Sequence, residues 1–168
     1  MNVIEYNFEH YNTLAQNLYL KEKYILQVEL LKLQEDAIIN KRKIAVCFEG
    51  RDTAGKSSTI NFFSEHLIPS NFKYVHLGIP TDEEKANWFE RWEKHLPKKG
   101  ELVLFDRSWY TRALIEPTLG YCTKTEYKKF MNKVNKWEKN LIKSDIELIK
   151  FYFSIDQDQQ KRRLSARK

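Results

Sequence analysis

Apolar positions follow two periods along this chain. Residues 13–40 contain no Gly or Pro, and Leu26, Leu30, Leu33 and Ala37 recur at spacings of four, three and four, which predicts one face of an amphipathic helix. KRKIAVCFE then reads as a buried strand over about 43–49. Helical spacing returns in KSSTINFFSEHL, where Ile60, Phe63 and Leu67 fall three and four apart. KYVHLG (73–78) reads as a second short strand. Thr81, with Glu84 three residues on, fits a capping box opening a helix that runs through Trp88, Phe89, Trp92 and Leu96 to Pro97. ELVLFD (101–106) is a third strand. CTKTEYKKFMNKVNKWEKNLIK follows as a long basic helix, with Tyr127, Phe130, Val134, Trp137 and Leu141 as its buried stripe. IELIKFYFS, from about 146 to 153, is a fourth strand, and DQDQQKRRLSARK begins a charged helix. Strands alternating with helices predict an α/β fold with a parallel sheet covered on both faces.

Composition narrows the setting. With 168 residues, 42% hydrophobic, and only 5 Gly and 4 Pro, the chain suits one compact domain without an internal boundary. The formal charge of +6 is compatible with a solvated surface or with a field that concentrates a polyanion. Cys47 and Cys122 form no C-x-x-C or Cys/His cluster and read as reduced structural thiols of a cytoplasmic protein. MNVIEYNFEHYN lacks the pattern of a signal peptide, and no segment approaches the ~20 apolar residues needed to cross a bilayer.

The chemistry is concentrated in FEGRDTAGKSSTI, where Gly50-x-x-x-x-Gly55-Lys56-Ser57 has the form of a phosphate-binding loop between a strand and a helix. Glycines there let the backbone turn tightly and aim N–H groups at phosphate oxygens, so Arg51, Thr53, Ala54 and Ser58 are candidate phosphate contacts through the loop. Lys56 would supply a mobile cation and Ser57 a hydroxyl for Mg²⁺. The following helix adds the positive end of its dipole. Asp106, at the end of a buried strand, stands where a Mg²⁺-organising acid is expected. Arg107 beside it either stabilises a transferring phosphoryl group or makes a surface ion pair.

Asp52 is the unusual residue, because a carboxylate inside the cradle repels the ligand unless a metal or an acceptor proton offsets it. It reads as a second Mg²⁺ anchor, as a base orienting an acceptor phosphate, or as a surface acid pointing away. Further cations follow: Arg112, Lys124, Lys128, Lys129, Lys133 and Lys136, then Lys161, Arg162, Arg163, Arg167 and Lys168. The helix lysines read as a solvated face, whereas Arg112, Arg163 and Arg167 are expected to face phosphate. His66, His76 and His95 lie far from the loop in sequence, which argues against a phosphohistidine route.

FEGRDTAGKSSTI, FERWEKHLPKKGELVLFDRSWYTRALIE and IELIKFYFSIDQDQQKRRLSAR, in that order, closely resemble the polyphosphate kinase 2 family, from about Tyr24 to the last residue. The resemblance implies a P-loop kinase-like (thymidylate-kinase-like) α/β core over about 43–155, preceded by the helix at about 13–40 and followed from about 156–168 by the start of a helical lid. It implies Mg²⁺-dependent, reversible phosphoryl transfer between inorganic polyphosphate and a nucleotide, as dimers or tetramers, without nucleic acid or membrane as partner. By it, Asp52 and Asp106 hold Mg²⁺ and organise the acceptor phosphate, Lys56 and Arg107 bind the phosphates exchanged, and Arg167 comes from the lid. The wording FDRSWY resembles members acting on nucleoside diphosphates (ADP or GDP to ATP or GTP). Two departures stand out: Ser57 and Ser58 replace the family's glycines after the loop lysine, and the family normally continues past the position of Lys168 with more lid, helices and a strand. The expectation from the second is a lid completed by another chain, or a form with weak or silent catalysis. An ATP-dependent nucleoside monophosphate kinase shares the FEG-x-D loop and the DR strand end and remains the nearest alternative.

Overall fold

The structure, a computed structural model, describes residues 15–167; MNVIEYNFEHYN, positions 13 and 14 of the expected first helix, and Lys168 lie outside the described residues. The elements in chain order are α1 (Gln16–Ile39), β1 (Lys43–Gly50), α2 (Lys56–Ser64), β2 (Phe72–Val75), α3 (Asp82–Ala86), α4 (Trp88–Glu93), β3 (Glu101–Asp106), α5 (Thr111–Leu114), α6 (Glu116–Leu119), α7 (Lys124–Lys143), β4 (Ile146–Phe153) and α8 (Gln157–Ala166). The four strands form one parallel sheet in the order β2-β3-β1-β4.

Alternation along the central strands separates two cores. Ile44, Val46, Phe48, Leu102 and Leu104 face α1 and α2, packing with Ala37, Ile60 and Leu67. Ala45, Cys47, Val103 and Phe105 face the other way, onto Trp88, Trp92, Trp109 and the Phe130, Val134 and Leu141 stripe of α7. A strand buried on both faces reads as an unbroken apolar run, as β1 and β3 do. Tyr127 and Trp137 are half-buried at the margin of the α7 stripe.

Several expectations need correction. The buried stripe of α1 is Gln27, Gln34 and Ala37, with Leu30 and Leu33 half-buried, and Leu26 points to solvent at 62% exposure. The glutamines are buried because their amides are satisfied: Gln27 Nε2 donates to the Phe62 carbonyl (3.0 Å) and to Glu65 (2.7 Å), and Gln34 bonds both ways with the backbone of Ile68 (2.9 and 2.6 Å). The Thr81–Glu84 capping box is present, but the helix it opens breaks at Asn87, whose ψ of 54° separates α3 from α4. α2 stops at Ser64, three residues before the predicted end, and β2 stops at Val75. A second capping box, Thr123 with Glu126, opens α7.

β4 pairs with β1 on one side and, among the described residues, with no strand on the other. Arg42, between α1 and β1, bonds Glu147 of β4 through Nε (2.7 Å) and Nη2 (2.6 Å) and pairs with Asp36 of α1. No helix among the described residues is long and apolar enough to cross a membrane.

Candidate active site

The site lies at the C-terminal ends of β1 and β3, where the loops of a parallel sheet open a crevice. Gly50 ends β1 in register with Phe153, and a Cβ there would come 2.4 Å from the Phe153 carbonyl oxygen; with φ at 138°, only glycine fits. Gly55 (φ 102°) caps α2, and a Cβ on it would meet nothing within 4 Å, so the constraint there is the backbone conformation. Residues 52–59, with Arg163 and Arg167, line a cavity of about 550 Å³. The backbone N–H groups at the start of α2 open onto it, a natural anion seat.

Lys56, the first residue of α2, is buried, and its Nζ donates to the carbonyls of Gly50 (3.1 Å) and Arg51 (2.8 Å). Burial, and then the Arg107 cation, hold its pKa below the ordinary value. Arg107 has a left-handed φ of 66°, and its N–H continues the sheet by donating to the Phe48 carbonyl (3.0 Å). The half-buried Arg107 guanidinium has no ion-pair or hydrogen-bond partner among the described residues. Two cations that repel one another beside the loop favour an anionic ligand.

Asp106 is 5% exposed and collects donors: Ser57 Oγ (3.1 Å) and the Tyr74 hydroxyl (2.9 Å), with His76 Nδ1 at 3.8 Å. Burial and the Asp106 carboxylate push the Tyr74 hydroxyl up to about 12. Sequence reasoning missed both β2-end residues and set His76 apart from the site; the β2–β3 pairing, invisible in the linear pattern, carries them to Asp106. Glu49 was missed too: Oε1 of this buried acid accepts from the N–H (2.7 Å) and hydroxyl (2.6 Å) of Ser108. Burial pushes its carboxyl up, opposed by those hydrogen bonds and by Arg107 and Lys56.

α8, which follows β4, reaches the loop with its side chains. Gln160 Nε2 donates to the Asp52 carbonyl (3.2 Å), Arg163 Nη1 to the Thr53 carbonyl (2.9 Å), and Arg167 Nη1 lies 3.5 Å from Asp52 Oδ2. The Asp52 carboxylate also accepts from the Thr53 N–H (2.9 Å). It lines the cavity, its contacts being with Thr53 and Arg167 rather than with Asp106. Ser58 is exposed and Ala54 buried within the cavity lining, whereas Arg51 is exposed and outside it.

Arg112, expected to face phosphate, does not line the loop cavity. Its side chain is 1% exposed, stacked on Trp88 (4.0 Å to the ring centroid) and paired with Glu116 (3.0 Å) and Glu126 (3.1 Å). An Arg flanked by acids at i+4 and on the next long helix is held as a buried ion pair, its charge taken up by the two carboxylates.

The donors fit a hard divalent cation. Ser57 and Asp106 offer adjoining oxygens and Asp52 a further carboxylate in the cavity. Among the described residues no three His, Cys, Asp or Glu side chains converge on one point.

Comparison with known proteins gives a consistent answer. The family model for polyphosphate kinase 2 matches residues 13–168. A GDP-polyphosphate phosphotransferase of Pseudomonas aeruginosa is 41% identical over 163 residues, covering 96% of this chain and 46% of that protein. An NDP-polyphosphate phosphotransferase of Ruegeria pomeroyi is 44% identical over 155 residues, covering 92% and 45%. The crystal structure of a putative polyphosphate kinase 2 from Pseudomonas aeruginosa superposes with a TM-score of 0.85 at 30% identity, over 93% of this chain and 34% of that one. The corresponding structure from Arthrobacter aurescens gives 0.80 at 27% identity, over 90% and 54%. The chain spans about half the length of the curated relatives it matches.

Proposed function

The chain belongs to the polyphosphate kinase 2 family, with its P-loop kinase-like α/β fold, and from that premise we propose that it transfers a phosphoryl group between inorganic polyphosphate and a nucleotide, from nucleoside diphosphate to triphosphate, reversibly and with Mg²⁺. The observation that carries the reading is the cavity in which the glycine loop, Lys56, Asp52 and the α8 arginines meet. One acid and several cations around a phosphate seat suit two phosphorylated substrates brought end to end.

In the transfer, the terminal P–O–P bond of the chain breaks as a β-phosphate oxygen of the diphosphate attacks in line; the shortened polyphosphate leaves with the bridging oxygen. Lys56 would leave the loop carbonyls it now bonds and follow the transferring group, while Arg107, Arg163 and Arg167 neutralise the three charged oxygens. The Gly50–Ser57 backbone holds the donor, and Asp52 orients the acceptor. Mg²⁺, when bound, would supply charge neutralisation to the phosphates, and Asp106, Ser57 and Asp52 are the residues that would hold it. The free thiols Cys47 and Cys122 support a reducing, cytoplasmic setting, and light scattering would separate a homodimer from a homotetramer.

The test is ATP or GTP formation from the diphosphate with long-chain polyphosphate and Mg²⁺. Turnover lost in both Asp52→Asn and Lys56→Ala supports the reading. Turnover that needs ATP as donor and ignores polyphosphate would instead identify a nucleoside monophosphate kinase.

A further inference from the structure

Arg107 is the site's least explained cation. Its guanidinium has no partner among the described residues, its charge helps hold the Lys56 pKa down, and its backbone is left-handed. Only a surrounding structure that over-determines it keeps a non-glycine residue there.

What holds it is visible on its C-terminal side. β3 ends at Asp106, and the N–H of fully buried Ser108 donates to a side chain and not to a neighbouring strand. Glu49, the last side chain of β1 before the glycine loop, takes both the Ser108 N–H and the Ser108 hydroxyl on one oxygen. One residue further, the Trp109 indole donates to Glu138 (2.9 Å) and its carbonyl accepts from Trp88 (3.0 Å). The turn from Arg107 to Trp109 is thus pinned from three elements, and the pin adjoining Arg107 is Glu49. This pin is expensive: the other Glu49 oxygen is buried without a hydrogen-bond partner among the described residues. A buried carboxylate with an orphaned oxygen is poor material for stability alone.

We propose that Glu49 is a positioning residue that, through Ser108, fixes the left-handed turn at Arg107 and so aims the Arg107 guanidinium at phosphate in the loop cavity. The inference rests on the reading of the cavity as a phosphate site. It assigns a task to the last residue of β1, which ties the loop to the strand end that carries Asp106 and Arg107.

The experiment is a double-mutant cycle read by binding, with inorganic tripolyphosphate as probe, in calorimetry on the full chain with thermal midpoints alongside. Glu49→Gln keeps an oxygen for Ser108 and should change Kd by less than about threefold; Glu49→Leu removes the acceptor and should weaken binding at least about tenfold. In an Arg107→Ala background the Glu49→Leu effect should shrink below about twofold, because the group it aims is gone. Should Glu49→Leu fail to fold, Ser108→Ala, which removes only the hydroxyl donor, carries the same cycle: weaker binding alone, and none of that loss with Arg107→Ala. Undiminished losses in the Arg107→Ala background overturn the proposal, as does Glu49→Gln falling as far as Glu49→Leu. A coupled cycle in a chain without polyphosphate-dependent turnover would defeat the proposed function and leave the positioning role standing. Uncoupled losses in an active enzyme would do the reverse, and a wild type that binds no tripolyphosphate would sink both.

Discussion

The Ser57 hydroxyl donates to Asp106 Oδ2 over 3.1 Å, joining the first turn of α2 to the end of β3. Two oxygens drawn together from separate elements are a prepared corner for a cation. Asp106→Asn keeps the shape and removes the charge, and should lower polyphosphate-dependent turnover at least about a hundredfold. Ser57→Ala should instead raise the Mg²⁺ concentration giving half-maximal rate. Initial rates across a Mg²⁺ series distinguish the two; equal rates for wild type and Asp106→Asn would remove Asp106 from the reaction.

Gly50 and Gly55 should fail in different ways. Alanine at Gly50 meets the Phe153 carbonyl and a φ of 138°, so the β1–β4 junction must open, with a loss of about 2 kcal/mol or more in a urea titration. Alanine at Gly55 has open space, so its loss of stability should stay near ~1 kcal/mol, from backbone strain alone, while tripolyphosphate binding falls at least about tenfold as the methyl occupies the seat.

Arg112 belongs to the framework. Arg112→Met strands the buried Glu116 carboxylate and should cost about 3–5 kcal/mol of folding stability. At a temperature where the variant remains folded, turnover should stay within about threefold of wild type. A selective loss of polyphosphate affinity with stability intact would return Arg112 to the site.

Acid sensitivity should trace partly to Arg42. Its guanidinium hydrogen bonds hold the Asp36 and Glu147 carboxyls below their ordinary values of 3.8 and 4.5. Groups with lowered pKa contribute stability that is complete above the ordinary value and disappears as pH falls through the folded one. Both acids are close to half exposed, so the effect is small: Arg42→Met should lower the thermal midpoint by roughly 1–3 °C at pH 7. The gap should close as pH drops below 3.8. A gap that persists in acid would mean that Arg42 acts through packing.

Much of this was legible in the residues. The apolar runs of β1 and β3, the glycine loop and the Thr81–Glu84 box depend on local spacing, and each stands where its pattern puts it. What escaped depends on partners distant in the chain. Gln27 and Gln34 are buried because the backbone near Phe62 and Ile68 accepts their amides, which displaces Leu26 to solvent. Tyr74 and His76 reach Asp106 only through strand order. Arg112 looked like a phosphate ligand because its charge is plain in the sequence, while Glu116, Glu126 and Trp88, which absorb that charge, meet it only in the fold.

The open side of β4 has a consequence in time. In a parallel strand successive residues turn their amides alternately to one neighbour and the other. With β1 its one neighbouring strand among the described residues, every second β4 amide is committed to the sheet and the ones between face away from it, on a strand where Ile149 and Tyr152 are exposed. Hydrogen exchange along Ile146–Phe153 should therefore alternate, slow and fast, residue by residue. Loss of that alternation on mixing with another polypeptide would time the arrival of a second neighbour at this edge.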